Sequence, residues 1–291
     1  MDGLMYSAIA DNDVTRLKRL IRQGGDVDLY YIDLQGISTK SLLHIGCEKG
    51  RIDCVRVLLD AGADISPRDA WRQTPLMYCM QTHYHDVAEV LLERNPSQVN
   101  IPDTFGKMAI HCAAESGCEE SVNLLIKYGA DLNAQTSEGN TPLMCLCLTR
   151  QVENAAKVSQ ILINAGTNLE MFDYHGGRTA LQKAVLTKNT ELVESLIQLG
   201  ADVNTVDVMK RTPLTNFMLE YSGADMNIAV GEHSNPLIVS AFLTADSLVK
   251  YFIDNGANPN VHFASGISPL LVATSRKSID VVKHFYITMR L

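Results

Sequence analysis

Histidine and cysteine give this chain its widest reach into chemistry, and two short clusters gather them: His83-Tyr84-His85 and Cys145-Leu146-Cys147. Zinc takes four donors in a tetrahedron, so a His pair becomes a site when a His-Glu-x-x-His helix or a Cys pair completes the set. Neither pattern accompanies His83 and His85, which fall two residues apart at a helix-to-helix turn. Cys145 and Cys147 stand on an expected helix, where residues two apart point in different directions, and the redox spacing Cys-x-x-Cys is not met. They are read as packing residues. Phosphate loops need clustered glycines, yet outside Gly24-Gly25 and Gly176-Gly177 the glycines fall singly, with neither Gly-x-Gly-x-x-Gly nor a P-loop. A nucleophile elbow is absent too. No catalytic residue, cofactor or metal is assigned, and the chain is expected not to be an enzyme.

What the chain does hold is a period. A Leu or Ile opening a helical segment returns at Leu43, Leu76, Ile110, Leu143, Leu181, Leu214, Leu237 and Leu270, at intervals of 33, 34, 33, 38, 33, 23 and 33 residues. Thr74-Pro75-Leu76, Thr141-Pro142-Leu143 and Thr212-Pro213-Leu214 open units; Gly62-Ala63-Asp64, Gly129-Ala130-Asp131 and Gly200-Ala201-Asp202 close them. The opening residue and the closing Gly lie 19 apart in three cases, Leu43 to Gly62, Ile110 to Gly129 and Leu181 to Gly200. Thr caps a helix well, and Pro suits its first turn because the missing N–H leaves no intrahelical bond unmade. Apolar residues at i, i+3 and i+4, as in Val55, Leu58 and Leu59 or Leu192, Val193, Leu196 and Ile197, give a second helix one buried stripe. Gly just past its end takes the left-handed turn that stops it.

A unit of this length, opening and closing in this way, resembles the ankyrin repeat, and the resemblance spans almost the whole sequence. It implies an all-α solenoid, an ankyrin repeat array of about 8–9 helix-turn-helix units with β-hairpin finger loops. Asp69-Ala70-Trp71-Arg72-Gln73 and Asp103-Thr104-Phe105-Gly106-Lys107 would be such fingers, forming a concave face with the first helices. His44 and His111 fall where ankyrin repeats use an imidazole to hydrogen-bond the finger, which implies a structural role for both.

The departures from the period set the expected organisation. Residues 1-40 are read as an N-terminal capping repeat and long loop, and 41-214 as ankyrin repeats 2 to 6. Residues 215-234 are read as a degenerate, shortened repeat 7, and 235-291 as repeat 8 and an incomplete repeat 9. Leu143 to Gly166 is 23 residues rather than 19, the excess falling around Thr149 to Asn154, which suggests a longer connection between helices. Gly176-Gly177 adds a residue to the next finger. Leu214 to Gly223 is only 9 residues, so repeat 7 has lost about one helix. Each unit leans on its neighbour's interface, so a weak seam is expected between about Thr215 and Ser234. The ninth unit stops at Leu291 without Gly-Ala-Asp; that end is expected to be a fragment, a variant product or an inaccurate gene model.

Composition excludes other classes. With 291 residues, 46% hydrophobic and 20% charged, the chain has ample material for a folded array. A net charge of −8 argues against a phosphate-binding surface, so no nucleic-acid partner is expected. The start, Met1-Asp2-Gly3-Leu4-Met5-Tyr6, shows no basic segment before an apolar core, and nowhere do about 18 apolar residues run together, so neither export nor membrane insertion is expected. Seven cysteines, an odd count, read as reduced thiols in a cytoplasmic or nuclear protein, with Cys47, Cys54, Cys79 and Cys147 at places where ankyrin helices bury small residues. A monomer is expected.

In the resembled family, partners meet the finger tips and the exposed side of the first helix. The matching positions here are Arg68, Trp71, Gln73, Gln81 and Thr82 in one repeat and Phe105, Lys107, Glu115 and Ser116 in the next. Tyr174, His175, Met209 and Lys210 would continue the ridge. Trp71 and Phe105 occupy equivalent finger sites, and aromatic anchors flanked by Arg and Lys are typical of interface hot spots; the alternative is that each ring folds back on its own finger. The favoured reading is a non-enzymatic protein-protein interaction scaffold or adaptor holding a protein partner of unknown identity in the groove. Two others stay open: a substrate-recognition subunit of a ubiquitin ligase that lacks its C-terminal box here, and the cytosolic ankyrin domain of a larger channel or enzyme.

Overall fold

The computed structural model describes residues 2–32, 39–149, 154–187, 189–209, 211–213 and 268–288, with 216, 241, 249–250, 253 and 259–260. The chain divides into two units, Met1–Asn168 and Leu169–Leu291.

Among the described residues the first unit holds five helical hairpins: α1 (Asp2–Ala10) with α2 (Val14–Arg22), α3 (Leu42–Glu48) with α4 (Ile52–Asp60), α5 (Pro75–Gln81) with α6 (His85–Arg94), α7 (Ala109–Ser116) with α8 (Glu119–Lys127), and α9 (Pro142–Leu148) with α10 (Ala155–Asn164). The first helices start where local chemistry satisfies their open N–H groups. Ser41, Thr74 and Thr141 each accept the N–H of the residue three positions on, and Pro75 and Pro142 occupy the first turn. Each such cap is worth about 1 kcal/mol. α4 ends at Gly62, whose φ of +89° would strain any residue with a Cβ.

The stacking is regular. First helices α1, α3, α5, α7 and α9 pack against one another in chain order, and second helices α2, α4, α6, α8 and α10 do the same. Leu43, Leu76, Ile110 and Leu143 of the first row and Leu58, Leu91, Leu125 and Leu162 of the second are buried. Each aliphatic side chain taken from water in this way contributes about 1.5–3 kcal/mol. The stretch read as a long loop after the first repeat has paired arms: β1 (Tyr30–Ile32) runs antiparallel to β2 (Thr39–Ser41), with Tyr30 opposite Ser41.

In the second unit α11 (Ala180–Leu186) pairs with α12 (Thr190–Gln198), and α13 (Pro269–Ser275) with α14 (Ile279–Thr288). Thr179 and Ser268 cap α11 and α13 as their counterparts do in the first unit. Ala273, Val281 and Phe285 are buried together with Ala241 and Val249, and Ile197 packs against this cluster. Of the lengthened connection, residues 150–153 lie outside the described residues, while Asn154 next to them is left-handed at φ +59°. The expected seam lies outside them as well, apart from Asn216, as does most of 235–267.

Candidate protein-interaction surface

One buried oxygen-bearing side chain builds each finger. Asp69 Oδ1 accepts the N–H groups of Trp71 at 2.9 Å and Gln73 at 2.7 Å, and Asp103 Oδ1 those of Phe105 at 2.8 Å and Lys107 at 2.9 Å. Asp207 does the same for Met209 and Arg211, and Asp173, with one residue more in its turn, for Gly176 and Arg178. Thr136 Oγ1 takes the place of the carboxylate for Glu138 and Asn140. The fingers beyond the first are therefore turns wound on an acceptor, with the backbone bond Asp69 N–H to Gln73 O or Asp103 N–H to Lys107 O closing each.

In three of the fingers the second carboxylate oxygen finds a donor, a different one each time. Tyr78 O–H donates to Asp69 Oδ2 at 2.9 Å, Lys183 pairs with Asp173 Oδ2, and Arg211 Nε reaches Asp207 Oδ2 at 2.9 Å. Burial alone would raise the Asp173 and Asp207 carboxyls, but the hydrogen bonds they accept outweigh it and hold both below the ordinary value. Cys112 stands where Tyr78 stands one repeat earlier, and Asp103 Oδ2 makes no hydrogen bond among the described residues.

Imidazoles tie fingers to helices. His111 Nδ1 accepts the Met108 N–H at 3.0 Å, so Nε2 carries the proton and donates to Ala134 O at 3.1 Å and Asn140 O at 3.2 Å. His44 likewise takes the Ser41 N–H and reaches Gln73 O at 3.0 Å. Burial lowers both imidazoles below their ordinary value, more than the carbonyl bonds raise them. Gln182 performs the same bridge with an amide, accepting Thr179 N–H at 2.9 Å and donating to Arg211 O at 2.9 Å. Neighbouring fingers are joined as well: Trp71 O accepts the Thr104 N–H at 2.9 Å, and Phe105 O the Ser137 N–H at 2.7 Å.

The anticipated contact residues fall into two groups. Trp71 is 38% exposed and Phe105 54%. Gln81 and His175 are exposed, as are Tyr174 and Met209. The second group is engaged within the chain. Arg68 Nη2 donates to Pro102 O at 2.7 Å, and Lys107 Nζ meets Glu115 Oε2 at 2.7 Å with both side chains about a third exposed. Burial would lower the Lys107 ammonium, but the bond to Glu115 prevails and holds it above the ordinary value. Lys40 and Glu48 repeat that pair at 2.8 Å two repeats earlier, with Lys40 over the Tyr78 ring. Gln73 is half-buried and Lys210 lies outside the described residues.

Elsewhere His83 is exposed at the turn between α5 and α6, whereas His85, expected in that turn, is the exposed first residue of α6, and all seven cysteines are buried. Burial pushes the Cys112 and Cys145 thiols up to about 12.

Stacked helical hairpins with projecting, carboxylate-wound fingers define a repeat scaffold whose side chains at the tips face outward. A family model described as ankyrin repeats, in three copies, matches residues 4–103, 43–136 and 110–207, and the chain belongs to the ankyrin-repeat family. Ankyrin repeats are protein-interaction modules, as a rule without enzymatic activity of their own. The human transient receptor potential cation channel subfamily A member 1 is 24% identical over 96% of this chain and 26% of its own length. The probable E3 ubiquitin-protein ligase XBOS33 of Oryza sativa is 28% identical over 69% of this chain and 39% of its own length. The B-cell lymphoma 3 protein homolog of Mus musculus is 27% identical over 73% of this chain and 47% of its own length. The chain thus spans less than half the length of each of these relatives. No described helix is long and apolar enough to cross a membrane.

Proposed function

We propose that this chain is a non-enzymatic scaffold that holds a protein partner across the finger tips and first helices of its repeats, with Trp71 and Phe105 as apolar anchors. The observation that carries the reading is that two large rings stay exposed on adjacent fingers whose backbones are bonded to each other, Thr104 N–H to Trp71 O. Anchors held in place before binding lose little conformational freedom when a partner covers them. Arg68, Gln73, Gln81, Lys107 and Glu115 would form the polar rim, and the net charge of −8 favours a protein over a nucleic acid. Seven buried thiols suit a protein of a reducing compartment, the cytoplasm or nucleus.

Affinity capture from cell extract by the wild-type chain and by a Trp71→Ala, Phe105→Ala variant tests this, with circular dichroism beside it. Loss of captured proteins at unchanged helicity supports the reading. Undiminished capture overturns it, and lost helicity would place the rings in the packing instead. Likeness to the channel over 96% of this chain supports a second reading, the ankyrin domain of a larger protein. The likeness to the rice ligase supports a substrate-recognition role; that role requires ligase components among the captured proteins.

A further inference from the structure

Ion pairs lace the row of second helices in the first unit. Asp60 of α4 meets Arg94 of α6, Glu89 of α6 meets Lys127 of α8 at 2.9 Å, and Glu119 of α8 meets Lys157 of α10 at 3.5 Å. In each pair the carboxylate lies on the earlier helix and the cation on the later one. Helix α2 stands first in that row, packed on α1 and α4, and carries Arg16, Lys18, Arg19 and Arg22 with no acidic residue, in a chain of net charge −8. Arg16 is half-buried and donates to the Ser7 hydroxyl at 3.1 Å. Lys18, Arg19 and Arg22 are exposed and form no ion pair among the described residues.

These three cations share one face. Leu17 and Leu20 turn the other side of α2 into the core, and at 3.6 residues per turn the three fall within an arc of about 100°. Lys18 and Arg22 are four residues apart, Arg19 and Arg22 three, spacings at which like charges oppose the helix. The helix dipole favours a cation in the last turn. Of the other described second helices, however, only α6 and α8 have one there, Arg94 and Lys127, and each is answered by a carboxylate. Arg22 and Lys127 stand alike, each two residues before a left-handed glycine, Gly24 at φ +86° and Gly129 at φ +79°. Lys127 takes its carboxylate from the second helix before it, and among the described residues α2 follows none. The neighbouring helix α4 offers Asp60, which Arg94 holds, and Asp53, in its first turn.

The surroundings of the cations decide the form of the anion. Exposed Asp11 and Asp13 lie just before α2, and exposed Asp26 and Asp28 just beyond it. Between them the helix is about 13 Å long. A nucleic-acid backbone or an anionic bilayer spreads its charge over a wider span and would bring it against those four aspartates. A short run of Asp and Glu fits inside them, and guanidinium groups hold carboxylates two-pronged. We infer that α2 docks an acidic segment of a partner protein through Lys18, Arg19 and Arg22. This surface lies on the second-helix row, apart from the fingers, and stands if Trp71 and Phe105 bind nothing.

The test is selection from a random short-peptide library on the immobilised full chain, followed by fluorescence-polarisation titration of the enriched peptides. A class rich in Asp and Glu is expected. Its affinity should fall about tenfold or more on Lys18→Gln, Arg19→Gln, Arg22→Gln and stay unchanged on Trp71→Ala, Phe105→Ala. It should also weaken as salt is raised from about 0.05 M to about 0.5 M. An enriched set without acidic peptides, or acidic peptides that bind the glutamine variant equally well, overturn the inference. So does glutamine-sensitive binding of a single-stranded oligonucleotide or of phosphatidylserine vesicles that is tighter than that of the peptides, since it gives the face another occupant. Gln keeps helix propensity; should helicity fall in the triple variant, Arg22→Gln alone carries the comparison.

Discussion

Replacing His111 separates hydrogen bonding from charge at the helix-to-finger bridge. The ring accepts one backbone N–H, from Met108, and donates toward two carbonyls, Ala134 and Asn140, all away from water. His111→Ala orphans the Met108 N–H and the Ala134 carbonyl, while Asn140 O keeps the Thr136 N–H; at about 1–3 kcal/mol for each buried orphan the loss comes to about 2–6 kcal/mol. His111→Gln should lose less than about 1 kcal/mol, because Gln182 already makes the equivalent bridge in the second unit. The two also part company in acid. The folded His111 binds its proton below 6.5 and the unfolded chain near 6.5, so the bridge contributes in full above about 6.5. Its contribution is lost as pH falls from there through the lowered folded value, at up to about 1.4 kcal/mol per pH unit for each imidazole. His44 acts in the same direction. Urea unfolding followed by far-UV circular dichroism at about pH 7.5 and about pH 5.5 reads both effects, with the slope flattened in His44→Gln, His111→Gln. A Gln variant as unstable as the Ala variant, or a double Gln variant that keeps the wild-type acid slope, would refute the argument.

Asp69→Ala removes the acceptor for the Trp71 and Gln73 N–H groups and the Tyr78 hydroxyl. It should cost about 2–4 kcal/mol in urea unfolding, against less than about 0.5 for Asp64→Ala on the exposed turn. Lys183→Met strands the Asp173 carboxylate, whose side chain is 8% exposed. A loss of about 3–5 kcal/mol is expected by the same assay, with partial recovery in Lys183→Met, Asp173→Asn. With Cys112 and Cys145 held at about 12 and all seven cysteines buried, Ellman's reagent at neutral pH should show no fast phase until denaturant is added. A stoichiometric burst in native buffer would contradict that burial.

The helices were legible because their causes are local. Thr74-Pro75, Thr141-Pro142 and the stripe Val55, Leu58, Leu59 carry capping and amphipathicity within a few residues, and the structure begins and buries helices there. His44 and His111 could be placed once the period gave them a register. The finger anchors were not legible, since an Asp in a polar loop reads as solvated. The missed signal was phase: Asp69, Asp103 and Asp207 each stand seven residues before Leu76, Ile110 and Leu214, and Thr136 seven before Leu143. Lys107 and Glu115 looked like spare surface positions because they are eight residues apart across a turn and a helix, and only folding brings them to 2.7 Å. Arg68 reaches Pro102 on another finger, a contact with no local trace. The equivalence of Trp71 and Phe105 was legible from the period, but the sequence left open whether each ring turns outward or folds back on its finger.

The bonds described above that set the position of a finger use the main chain or side chains below its tip: Thr104 N–H to Trp71 O, Ser137 N–H to Phe105 O, the carboxylates of Asp69 and Asp103, the imidazoles of His44 and His111. None depends on the identity of the ring at the apex. Apex residues can therefore be swapped like movable type in a fixed frame, and a library randomised at Trp71 and Phe105 alone should return folded proteins with altered tastes.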